Sequence, residues 1–149
     1  TRFPISAETA KLLRDRGVVW VPVLMRAKDD AALLADLQRT MFLADSMGVL
    51  IGSGAEAGES VYMGESLLDE LGLLHDAGIS TVHILQAATS VAARALGMED
   101  SWGYVRPGYR ANLILVEGNI QVEFSALSRL RYLWQIGHLT IGEGLLVGN

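Results

Sequence analysis

The chain has 149 residues, half of them apolar and only 19% charged, with 12 basic against 17 acidic side chains and a net charge of −5. This length and composition suit a folded core and argue against disorder, and an acidic balance without a basic run argues against a nucleic-acid surface. No apolar stretch is long enough for a membrane span, nothing at Thr1 reads as a signal peptide, and the absence of cysteine removes disulfides, zinc–thiolate sites and thiol nucleophiles, so a cytoplasmic protein without membrane contact is expected.

Ser6 is placed to cap a first helix, with Glu8 in its first turn, Arg14 and Arg16 in its last and Gly17 as its stop. The run Val18-Val19-Trp20-Val21-Pro22-Val23-Leu24 predicts a strand buried on both faces, with Pro22 near its end because proline cannot donate to a ladder. Asp29 and Asp30 open a second helix whose Leu33, Leu34, Leu37, Met41 and Ala44 share one face, and Gly48 ends it. Val49-Leu50-Ile51 predicts a second buried strand, which runs into the turn Gly52-Ser53-Gly54-Ala55-Glu56-Ala57-Gly58. A third helix is expected over residues 65–77, with Leu67, Leu71 and Leu74 in the core, a fourth capped by Ser80, and a fifth capped by Thr89 and closing at Gly97.

Beyond Gly97 the pattern changes from helical to extended. Pro107-Gly108 marks a turn, Leu113-Ile114-Leu115-Val116 a strand, and residues 130–136 a further strand that turns at Gly137 towards Leu139-Thr140-Ile141. The two long β runs are expected in one sheet, separate from the first two strands. Two parallel-type strands cannot bury both of their faces without neighbours, so the first part reads as incomplete.

Glu56 is the leading candidate for chemistry. It follows directly on the carboxyl end of a predicted strand, where α/β folds gather ligands, and a carboxylate there can bind a metal or take a proton; a solvated loop glutamate is the plainer alternative. Gly52, Gly54 and Ala57 also fit a dinucleotide fingerprint, but Gly58 and Gly64 break the helix that motif requires. Ser53 lacks the frame of a hydrolase nucleophile, since Ile51 stands two residues before it. His75, His83 and His138 have no helical metal-ligand spacing; His75 reads as an exposed side chain near a helix C-terminus, the others as surface or turn residues.

The block at residues 48–58 resembles the last barrel strand of metal-dependent amidohydrolases, especially the imidazolonepropionase-like branch, where a similar strand ends in Gly-Thr-Asp-Ala-Gly. Gly64-Glu65-Ser66-Leu67 and Glu70-Leu71-Gly72-Leu73-Leu74 resemble the helix that follows, residues 87–97 the family's alanine-rich segment, residues 103–113 its return to a small β domain, and residues 17–24 its penultimate strand. The resemblance implies an α/β chain holding the last two βα units of a (β/α)8 TIM barrel over residues 1–101 and C-terminal strands of a small β-sandwich domain over residues 102–149. It implies hydrolysis of non-peptide C–N bonds, amide or cyclic amide, in a small-molecule substrate by metal-activated water. The metal would be divalent, zinc by expectation, with Glu56 at the position of the family's metal-binding, proton-accepting aspartate.

Two departures accompany the resemblance. Glu56 is one methylene longer than aspartate, and no His-x-His pair occurs in the chain. The first six strands are therefore expected from missing N-terminal segments or from another chain, with homo-oligomerisation possible, and the isolated chain is expected to be inactive. The rival reading is an inert amidohydrolase-like piece acting as a structural or interaction module.

Overall fold

The computed structural model describes residues 5–54 and 65–142. Helix α1 (Ala7–Asp15) begins where Ser6 accepts a hydrogen bond from the Thr9 N–H at 3.1 Å. Helix α2 (Ala31–Ser46) begins the same way, with Asp30 accepting from the Leu33 N–H at 3.0 Å. In both, the cap satisfies one of the donors that a helix N-terminus leaves unpaired. Gly17, Gly48 and Gly78 stop α1, α2 and α3 (Glu65–Asp76), each with positive φ.

Strands β1 (Val19–Trp20) and β2 (Leu50–Ile51) pair in parallel, Val19 with Leu50 and Trp20 with Ile51. Both are shorter than the sequence suggests. The run read as a strand over 18–24 keeps only two ladder residues. Pro22 has no N–H to offer, and the chain then tightens into a 3₁₀ turn, Leu24–Ala27, whose first two N–H groups are taken by a side chain from α3. Nor is that run buried on both faces: Val18 and Val21 are 44% and 37% exposed.

Around this short sheet, α1, α2, α3, α4 (Thr81–Ala88) and the 3₁₀ turn enclose a core in which Leu24, Met41, Leu74 and Ile84 are fully buried. Removing such a side chain from water contributes about 1.5–3 kcal/mol. The face of α2 divides as its periodicity requires: Leu37, Met41 and Ala44 are buried, and Leu33 and Leu34 pack at the margin. On α3, Leu71 and Leu74 are in the core, but Leu67 is not; it is 37% exposed. Helix α5 (Ser90–Ala95) follows α4 almost without a break. The Thr89 hydroxyl does not cap it. It donates instead to the Leu85 carbonyl at 2.6 Å, one turn back in α4.

The second sheet is antiparallel and separate, in the order β3 (Leu113–Val116), β4 (Leu130–Gln135), β5 (His138–Ile141). The two β runs therefore share one sheet, as expected. Leu113 faces Trp134, Ile114 faces Leu133 and Leu115 faces Tyr132. A two-residue turn, Ile136-Gly137, joins β4 to β5 with φ of 51° and 82°, the mirror-image turn that suits the twist of a hairpin. A 3₁₀ segment, Phe124–Ser128, ties this sheet to the helical half: Phe124 stacks on His75 with ring centroids 4.5 Å apart, and Ala126 is fully buried. No helix among the described residues is long and apolar enough to cross a membrane.

Candidate functional site

In a parallel pair both carboxyl ends lie on the same side, so the exits of β1 and β2 meet. The Gly52 N–H donates to the Trp20 carbonyl at 2.9 Å and extends the ladder by one bond. Glycine is needed here for close approach. A Cβ on Gly52 would lie 3.1 Å from Val19 Cγ1 and 3.2 Å from Val21 Cγ2, and one on Gly54 would lie 2.7 Å from Val21 Cγ1. The glycines that fit a phosphate-binding fingerprint are thus explained by packing against β1.

The nucleotide reading also loses two of its donors. The Ser53 N–H donates to the Ala87 carbonyl at 3.1 Å, and the Ser53 hydroxyl donates to the same oxygen at 3.3 Å. Two amides of the turn are thereby occupied by protein carbonyls. Among the described residues, the helix end bonded to the turn is the C-terminus of α4, whose partial charge is negative and repels a phosphate. Ser53 donates its hydroxyl to a carbonyl, and among the described residues no base is hydrogen-bonded to it.

Glu56, two residues beyond Gly54, lies outside the described residues, and so does the expectation that it faces the strand ends. The histidines fall where the sequence places them. His75 is exposed in the last turn of α3; His83 lies on the surface of α4, with Nδ1 2.7 Å from Asp45 Oδ1; His138 is exposed at the start of β5. The structure does not bring them together. Among the described residues no three histidine, aspartate or glutamate side chains are grouped to hold a metal ion. These residues alone do not make a metal centre.

One carboxylate was missed by sequence reasoning. Glu70 on α3 is fully buried, and its two oxygens accept from the Leu24 N–H at 2.9 Å and the Met25 N–H at 2.8 Å. Burial pushes its carboxyl above the ordinary value, while the two backbone N–H bonds pull in the opposite direction. The signal was present: Glu70 lies three residues after Leu67 and four before Leu74, on the apolar stripe of its helix, where a charged residue requires a partner.

The sequence profile described as the Amidohydrolase family matches residues 6–140. Solved structures with similar folds include a Xaa-Pro dipeptidase (TM-score 0.79, 25% identity, 93% of this chain and 38% of that one). They also include the A. niger ochratoxinase (0.79, 20% identity, 95% and 36%) and a molinate hydrolase (0.75, 16% identity, 99% and 38%). This chain therefore spans well under half the length of each protein it resembles. No curated protein sequence matches it. A mixed α/β architecture and a family profile running from α1 into β5 agree, and the chain belongs to the amidohydrolase family.

Proposed function

We propose that this chain is the C-terminal portion of a metal-dependent hydrolase that cleaves amide-type C–N bonds, non-peptide or cyclic amides in particular, in a small-molecule substrate. In this reading β1 and β2 are the last two strands of a (β/α)8 barrel within residues 1–101, and β3, β4 and β5 belong to a small β-sandwich domain within residues 102–149. The observation that carries it is the parallel register of β1 and β2, which brings two strand exits to one side; Glu56 follows one of them in the sequence. Glu56 is the one metal ligand and proton acceptor this chain is proposed to contribute. The remaining ligands and the other barrel strands come from further N-terminal segments or another chain. Amide cleavage is supported by the family and by the relatives described as a dipeptidase and an ochratoxinase.

A divalent metal, zinc in this proposal, supplies polarisation of a carbonyl and an acidified water when bound. What this chain's described residues do is structural support: they hold the two strand exits together and commit Ser53, Gly52 and Glu70 to fixed partners. The test is metal content and turnover of the complete protein on a panel of N-acyl, cyclic amide and proline-containing dipeptide substrates, beside Glu56→Ala. Loss of both bound metal and turnover in the variant is expected. Retention of both would remove Glu56 from the site.

A further inference from the structure

Glu70 is a buried acid that the proposed chemistry does not use. It sits on α3, six residues into the helix that follows the segment carrying Glu56, and its partners Leu24 and Met25 lie 46 and 45 residues earlier, just beyond β1. Taking a carboxylate out of water is costly unless its oxygens are hydrogen-bonded, and bonds to a charged acceptor are stronger than neutral ones. Here each oxygen has a backbone donor. The segment it holds begins at Val23 and follows Pro22, which is itself fully buried. Immediately before that proline stands Val21, whose two methyls close on Gly52 and Gly54. A continuous series of contacts therefore runs from α3 through Glu70 to Leu24 and Met25, through Val21, and into the exit of β2.

We propose that Glu70 is a positioning residue: by holding the N–H groups of Leu24 and Met25, its carboxylate fixes the exit of β1 against the exit of β2 and so sets where the segment bearing Glu56 departs. Its bearing on catalysis rests on the function proposed above; the positioning itself does not. An ordinary core contact would support only the residues it touches. A positioning group also supports the Gly52 to Trp20 bond, in which Glu70 takes no part.

The experiment is residue-resolved amide hydrogen exchange on the full protein, comparing wild type with Glu70→Gln. Glutamine keeps one acceptor oxygen but turns an NH2 towards the second backbone N–H, donor against donor. Exchange at Leu24 and Met25 is expected to rise about tenfold or more, as loss of a bond to a charged acceptor implies. Exchange at Gly52 should rise with it, while Ser53, held by Ala87, and the amides of β3, β4 and β5 stay unchanged. A rise confined to Leu24 and Met25, or none at all, overturns the proposal. If Glu70→Gln loosens the whole protein, Glu70→Asp, which keeps the charge but withdraws it by one methylene, is read in the same way. Glu56→Ala, assayed in parallel for bound zinc, tests the proposed function separately, because it leaves Glu70 itself unsubstituted.

Discussion

Replacing Gly54 with alanine tests the contact between the two strand exits. The new Cβ would stand 2.7 Å from Val21 Cγ1, about 1 Å inside ordinary carbon–carbon contact. Valine has little freedom at χ1, so the overlap must be relieved by moving backbone or forcing a poor rotamer, at a cost of about 1–3 kcal/mol. Against this, alanine in place of glycine stabilises by about 0.4–1 kcal/mol through the unfolded chain, because Gly54 does not need a positive φ. The steric term wins, and a net loss of about 1–2 kcal/mol is expected. Val21→Ala alone should cost less than about 1 kcal/mol, since that side chain is 37% exposed. In the double variant the overlap is gone, so the two losses should fall short of additive by about 1 kcal/mol or more. Urea denaturation of the four proteins, followed by the fluorescence of buried Trp20, measures this coupling. Gly54→Ala as stable as the parent, or strictly additive losses, would refute the argument that β1 and β2 are locked at their exits.

Other expectations follow from single contacts. Ile136, a β-branched residue at φ 51° and 64% exposed, occupies a turn position that asparagine fills at less strain; Ile136→Asn should raise stability by about 1 kcal/mol, and a lower urea midpoint would count against it. Glu123 is held down to about 2 by hydrogen bonds from Arg129 and Ser125 and by the Arg129 charge. Its folded value lies below its ordinary 4.5, so its stabilisation is present above that pH and is lost as pH falls towards 2. Glu123→Gln should flatten that part of the acid limb in pH-dependent unfolding, by an amount that shrinks in high salt because the pair is exposed; an unchanged limb would show the pair is idle. Finally, the 149-residue chain by itself should bind zinc weakly and not hydrolyse amides or lactams, because one carboxylate cannot define a coordination geometry. Calorimetric titration giving tight stoichiometric binding, abolished by Glu56→Ala and accompanied by turnover, would overturn that expectation.

Helices were legible because their signals are local. Ser6, Asp30 and Ser80 each accept the backbone N–H three residues on, as caps must, and the glycines at 17, 48 and 78 end the helices they follow. Thr89 failed as a cap because α4 runs up to it: its hydroxyl reaches back to Leu85, an acceptor available only when the preceding residues are already helical. The hairpin of β4 and β5 was legible from Gly137 alone, yet nothing local predicts that Ile136 beside it also takes a left-handed conformation. That choice is set by pairing, with the Ile136 N–H donating to Asn112 Oδ1 at 2.7 Å and the Gly137 N–H to the Ala111 carbonyl at 2.9 Å.

The strand at 18–24 shows where sequence reading reaches its limit. Its residues favour extended structure throughout, and Val19 and Trp20 take it, but the remainder is decided by groups distant in sequence. Glu70 captures two N–H groups that a longer strand would have offered to a ladder, and Pro22 offers none. With the ladder cut short, Val21 is free to close on Gly52 and Gly54, and the two exits become a shared structural element. The same reasoning revises the glycine-rich turn. As a string its glycines admit a phosphate loop; in the structure the Gly52 bond to Trp20, the Ser53 bond to Ala87 and the contact of Gly52 and Gly54 with Val21 give its described part a packing role instead. Among the described residues, the two exits are therefore fixed by packing and by backbone hydrogen bonds, which Glu70, Pro22 and the two glycines together impose.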